Sequence, residues 1–333
     1  MIRKCIAGML TGALLIGMLG VQCVYAQENA SAETMQEEND TTASDIAEDE
    51  TSEATQTEGT AEDSEIPAAS VETVTAGDIE MDYTVFGNGE KSFVILPGLS
   101  VHSVMGSADA IAEAYKDFTE EYTVYVFDRT KDLKEGYTIE EMAEDTAAAM
   151  KALNIEDADI FGASQGGMIA MYIAIDHPEL VHKMVLGSTL AQPNDTFERV
   201  ANEWIQLAEA KDEEGLLASF ADNVYSEATL EAYRDYLITS NLGITDEEYE
   251  RFLIQAEACA TFNCYDELSS IKCPVLVLGS EGDHVVTAEG SREIAEALGC
   301  EIYLYDENYG HGVYDEAADY KERCLNFFNE GEN

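Results

Sequence analysis

The stretch DIFGASQGGMIAMYIAI, residues 159–175, restricts the possible folds of this chain more than any other. A short apolar run ends at Phe161, Gly162-Ala163-Ser164-Gln165-Gly166 follows, and an apolar helical pattern begins at once. A serine at a sharp turn from strand into helix holds a strained backbone, and side chains at the flanking positions would collide with the adjoining elements. Glycine at 162 and 166 removes that collision. The helix that starts after Ser164 also points its free N–H groups and positive dipole end toward any anion formed there. The pattern G-x-S-x-G arises by chance roughly 0.1 times in a chain of this length. Its position between a strand and a helix makes Ser164 a candidate nucleophile, and Gly162 and Gly166 the residues that shape its turn.

The rest of the chain supplies a sheet for this turn. Candidate strands are 70–75, 81–86, 92–96, 123–127, 159–161, 183–186, 275–278 and 301–305, the first two joined as a hairpin through Ala76-Gly77-Asp78. Several are unbroken apolar runs, FVIL, VYVF and VLVL among them, as expected of strands covered on both faces. Amphipathic helices are expected at 108–115, 139–153, 166–176 and 288–298. Strand and helix in alternation predict an α/β fold, with a mostly parallel eight-stranded sheet and helices on both faces. One interval breaks the alternation. From about 190 to 268 no strand is evident, and four acidic helical patterns follow one another, with Asp195, Ser226 and Asp246 as expected N-caps. Lying between two strands of one sheet, this interval reads as a helical lid over the sheet's carboxyl edge.

The N-terminal region has another character. Residues 1–26 combine a basic start (Arg3, Lys4), an apolar run and a Val24-Tyr25-Ala26 cleavage pattern, the marks of an export signal; an uncleaved anchor is the alternative. Residues 27–70 are rich in Glu, Asp, Thr and Ser, and no Lys or Arg occurs between Lys4 and Lys91, so this segment reads as a disordered acidic tether. The expected organisation is therefore a signal, a tether, and one domain over 71–333. The protein is expected outside the cytoplasm, with no membrane span in its mature form.

The formal net charge of −51 disfavours nucleic acid and anionic membrane surfaces as partners, because like charges repel. Beyond the signal five cysteines remain (259, 264, 273, 300, 324), an odd number without zinc-binding companions. No complete disulfide framework, metal or cofactor is expected, although export would permit one bridge.

A serine hydroxyl is a weak nucleophile near neutral pH and requires a base, which in turn requires a group to orient it. Of the five histidines, His177 and His182 read as surface or capping residues. His311, between Gly310 and Gly312 after the last strand, is the best base. Asp283, just past VLVLGSEG, is the candidate acid, with Glu281 and Asp306 as alternatives. The order serine, acid, histidine suits a nucleophile on such a turn. The backbone N–H groups of Gln165 and of Leu99, in the tight turn Pro97-Gly98-Leu99, are the candidate oxyanion donors. His102 in LSVHS lies near enough in sequence to reach the same pocket.

These residues resemble the α/β-hydrolase superfamily, in its lid-bearing serine hydrolase branch. The likeness runs from about 71 to 328 and rests on LPGLS, FDRT with GYTIEEMAED, FGASQGG, VHKMVLGST, CPVLVLGSEGDHVV and Gly310-His311. It implies an enzyme acting on a small-molecule ester through Ser164, Asp283 and His311, with esterases, lactonases, C–C hydrolases and cofactor-free perhydrolases as relatives; the alternatives are an amide, peptide or C–C bond hydrolase of the same fold and a non-catalytic binding protein that keeps it. Two departures bear on the acyl pocket. The family usually has His before the Gly of the oxyanion turn, where this chain has Pro97, and a Gly-rich loop where it has TKDLKEG.

Overall fold

A computed structural model of the chain describes residues 69–331. The signal and nearly all of the acidic tether read from the sequence lie outside the described residues. Eight strands form one sheet: β1 (Ser70–Ala76), β2 (Ile79–Phe86), β3 (Lys91–Leu96), β4 (Tyr122–Thr130), β5 (Ala158–Ala163), β6 (Val181–Gly187), β7 (Val275–Ser280) and β8 (Glu301–Tyr305). Their order across the sheet is β1-β2-β4-β3-β5-β6-β7-β8. The first hairpin is antiparallel and joins β4 antiparallel, and every other pairing is parallel. Register is set by apolar runs that cannot slip without exposing themselves: Val94 faces Tyr125 on one side and Ile160 on the other.

Ten α-helices accompany the sheet among the described residues: α1 (Ala108–Ala114), α2 (Ile139–Ala152), α3 (Gln165–Asp176), α4 (Asp195–Glu209), α5 (Glu213–Val224), α6 (Glu227–Thr239), α7 (Asp246–Ala260), α8 (Thr287–Leu298), α9 (Val313–Glu316) and α10 (Tyr320–Asn329). Ten consecutive residues of α3, Gln165 to Ala174, are buried, because that helix packs on β3, β5 and β6 and against α2. The aromatic core beneath is close-packed. Phe93 stacks on Phe118 at 4.7 Å between ring centres and meets Phe328 edge-on at 5.3 Å.

Helices α4 to α7 fill the interval between β6 and β7, as the acidic patterns predict, but two of the expected caps are corrected. The residues whose side chains accept the first helical N–H groups are Asn194 and Thr245, one position before Asp195 and Asp246. Thr245 and Glu248 form a reciprocal capping box, which satisfies two N–H groups at the start of α7. Ser226 caps α6 as expected.

Helix α10 carries no expectation from the sequence, though Tyr320, Cys324 and Phe328, buried at four-residue spacing, were its signal. Its C-terminal carbonyls are held by Lys183, which donates to the backbone oxygens of Phe328 (2.6 Å) and Glu330 (2.7 Å). A cation there suits the negative end of the helix dipole. The five cysteines are free, and Cys259, Cys264 and Cys324 are buried. Among the described residues no helix is long and apolar enough to cross a membrane.

Candidate active site

Ser164 lies between the end of β5 and the start of α3 with φ 52° and ψ −117°. A non-glycine residue at positive φ costs on the order of 1–2 kcal/mol, so the surroundings must hold it there. They do so through its own peptide groups. The Ser164 N–H donates to Gly187 O (2.8 Å), and its carbonyl accepts from Thr189 Oγ1 (2.7 Å) and from the N–H of Gly167 (2.9 Å). A Cβ at Gly166 would overlap the carbonyl oxygen of Leu96, and one at Gly162 would meet Gly166 O at 2.5 Å. Gly166 thus lets the turn sit against the end of β3, and Gly162 lets the first turn of α3 fold back over the end of β5.

Asp283 and His311 meet on the same sheet edge, in the loops after β7 and β8. His311 Nδ1 lies 2.8 Å from Asp283 Oδ2, with both side chains almost wholly buried. The other carboxylate oxygen of Asp283 accepts the N–H groups of Val285 (2.8 Å) and Val286 (2.9 Å), so it has no freedom to turn away. An acceptor at Nδ1 fixes the proton on that nitrogen and leaves Nε2 as the basic position. The two other acids are engaged elsewhere: Glu281 pairs with Arg292, and Asp306 accepts from the N–H of Asn308.

The histidine loop is itself tied down. Ser280 Oγ donates to Tyr309 O (2.5 Å), and the Gly312 N–H donates to Val224 O (2.8 Å) at the end of α5. Glu316, on the short helix α9, accepts from the N–H groups of Ser226 and Gly310, both at 2.8 Å. One carboxylate therefore joins the helical insertion to the loop that carries His311. Beside it, Asp315 is buried, and burial pushes its carboxyl up to about 7 despite the nearby Lys321.

Leu99, in the loop after β3, and Gln165, the first residue of α3, are both buried. The turn at Pro97-Gly98-Leu99 presses against the serine turn, since a Cβ on Gly166 would also meet Pro97 O at 2.8 Å. His102 does not offer its ring to this pocket: Nδ1 lies 2.7 Å from Glu248 Oε1 and Nε2 lies 2.9 Å from Asn241 O. Both ring nitrogens are committed to the insertion.

A residue that sequence reasoning missed is Arg129, at the end of β4. Its guanidinium is buried and donates to Gln165 Oε1 from Nε (3.1 Å) and Nη2 (2.9 Å), and to the carbonyl of Pro97. Burial lowers its pKa to about 10, so it remains a cation near neutral pH. A lone Arg after a strand carries no local sign of such a role; only the FDRT string marked the place.

A family model described as the alpha/beta hydrolase fold matches residues 91–318. The chain belongs to this family. Among curated relatives, this α/β hydrolase is 26% identical over 175 residues to a protein bearing the name carbamate hydrolase RutD from Caulobacter sp. (strain K31), spanning 50% of the present chain and 63% of that one. It is 24% identical to 3-oxoadipate enol-lactonase 2 of Acinetobacter baylyi over 68% of its own length and 85% of the relative's. Among solved structures, the enol-lactonase of Burkholderia xenovorans LB400 superposes with a TM-score of 0.67 at 20% identity, covering 78% of this α/β hydrolase and all of that chain. Hydrolase names thus recur among its relatives, and the present protein is an enzyme of that class.

Proposed function

We propose that this protein is an exported serine hydrolase that cleaves small carboxylic esters through Ser164, His311 and Asp283. The observation that carries the reading is the buried His311–Asp283 hydrogen bond on the sheet edge where Ser164 is held at positive φ. Ser164 Oγ attacks the ester carbonyl carbon as His311 Nε2 takes its proton. The resulting oxyanion accepts from the N–H groups of Gln165 and Leu99, at the positive end of α3. Collapse of the tetrahedral species breaks the bond to the alcohol oxygen, which leaves with the proton from Nε2. Water then attacks the acyl-enzyme and gives one proton to Nε2, and the second collapse releases the acid and returns that proton to Ser164. Asp283 stays ionised and stabilises the imidazolium in both halves.

The relatives support an acyl substrate, since a lactone is a cyclic ester and a carbamate a related acyl compound. The helices α4 to α7 act as a lid that excludes water from this chemistry. The basic and apolar leader over residues 1–26 directs export.

A fluorophosphonate probe tests the reading. It should label the wild type and leave Ser164→Ala unlabelled, while Asp283→Asn, folded, should lose roughly 10⁴-fold in kcat on a p-nitrophenyl ester. Equal labelling of wild type and Ser164→Ala would overturn it.

A further inference from the structure

We propose that Arg129 is a positioning residue that holds the two halves of the oxyanion site in register. This deepens the hydrolase reading above and rests on it. The two donors assigned to the oxyanion come from separate parts of the chain, Leu99 from the loop after β3 and Gln165 from the first turn of α3. No covalent neighbour fixes their spacing, and displacement by about 1 Å is enough to cost such a site much of its rate. Arg129 reaches both parts: one Nη atom bonds the Pro97 carbonyl in the turn before Leu99, and the same group with Nε grips the side-chain oxygen of Gln165.

The other end of that side chain is equally committed. Gln165 Nε2 donates to Gln255 O (3.2 Å) and to Cys259 Sγ (3.1 Å), both on α7 of the insertion. The Gln165 carboxamide is therefore a strut from Arg129 to the lid, and the backbone N–H of the same residue is the oxyanion donor. Arg251, also on α7, completes the frame. It bonds Asp128 Oδ1 (2.7 Å), Thr130 O (3.0 Å) and Arg129 O (3.3 Å), so the strand end that carries Arg129 is gripped by the same helix.

A planar fork with donors at fixed angles meets acceptors on two segments at once, and the shorter lysine side chain with its tetrahedral ammonium does not match that reach and geometry. Among the described residues Arg129 is also buried without a directly paired carboxylate on its guanidinium, the nearest acid, Asp128, being bonded instead to Ser103, Arg251 and the Arg129 backbone N–H. Burying a cation whose direct partners are carbonyl groups is costly, and the attraction of the neighbouring Asp128 offsets only part of that cost.

The test uses the whole protein with p-nitrophenyl butyrate as substrate and phenylboronic acid as the probe, since its serine adduct carries the tetrahedral negative charge. Arg129→Met should lower kcat about 10- to 100-fold with KM changed by less than about threefold, and should weaken boronate inhibition in parallel. Arg129→Lys, which keeps the charge but reaches fewer acceptors, should recover only part of the loss. Gln165→Met, which removes the strut and leaves the backbone donor, should lower kcat in the same sense and add little when combined with Arg129→Met. It carries the test if the arginine variants fail to fold. Folded variants that keep kcat and boronate affinity within about twofold would overturn the positioning role while leaving the hydrolase reading intact. A wild type that neither turns over the ester nor reacts with fluorophosphonate at Ser164 would remove both.

Discussion

Thr189 donates its hydroxyl to the carbonyl oxygen of Ser164 at 2.7 Å, tying the strained turn after β5 to the end of β6. The same threonine side chain fills the space against Gly167, where a Cβ would meet it at 2.7 Å. One residue thus serves both the backbone strain and the packing of the first turn of α3.

Thr189→Val keeps the shape and removes the donor. It should destabilise the fold by about 1–2 kcal/mol in urea titrations, the cost of a buried carbonyl that loses a partner. Ester turnover should fall several-fold at temperatures well below unfolding, because the turn that aims the serine hydroxyl is held less firmly. Unchanged kcat in a folded Thr189→Val protein would show that the carbonyl contact does not maintain the turn.

Two glycines separate steric from conformational cost. At Gly166 a methyl group overlaps the Leu96 carbonyl, a backbone atom that cannot step aside. Gly166→Ala should leave the protein insoluble or lower its stability by more than about 3 kcal/mol. Gly77, in the first hairpin, has φ +64° and nothing within 4 Å of the place an added methyl would take, so Gly77→Ala should cost only about 1 kcal/mol. Thermal unfolding of the two variants side by side checks the contrast.

Asp315 gives a pH signature. Its carboxyl is raised by burial to about 7, against 3.8 when unfolded. Between these values the unfolded chain releases a proton that the folded chain keeps, so this residue lowers stability as pH rises through the window, and the loss levels off above about 7. Asp315→Asn should therefore stabilise the protein at pH 8, by on the order of 2 kcal/mol, and give no gain near pH 4. Denaturant titrations at both pH values would show it; an equal effect at the two would contradict the shift.

The alternation of strands and helices was legible along the chain because each element announces itself by local periodicity: the FVIL run of β3, the DIF run of β5, and the apolar stretch of α3 after Gly166. The sharp turn at Ser164 was legible for the same reason, since its steric demands fall on residues two positions away. Asp283 and His311 could be named because both follow strands that must end on one edge of a parallel sheet. The caps of α4 and α7 were displaced by one residue, as acidic side chains in a first helical turn look much like caps until hydrogen bonds distinguish them. Helix α10 was missed because its buried positions, Tyr320, Cys324 and Phe328, are interrupted by charged neighbours.

Other features had no local signal at all. Arg129 lies 36 residues from Gln165, and Glu316 bonds Ser226 across 90 residues of chain. Lys183 reaches the end of α10 from β6, 145 residues earlier. The amino-acid order by itself determined the kind of sheet, the strained serine and the residue types available at its edge, since those depend on sterics and periodicity within a few residues. Only the tertiary structure decided which distant polar groups are buried together, because a charged side chain is removed from water only where several separate segments close around it and supply its hydrogen bonds.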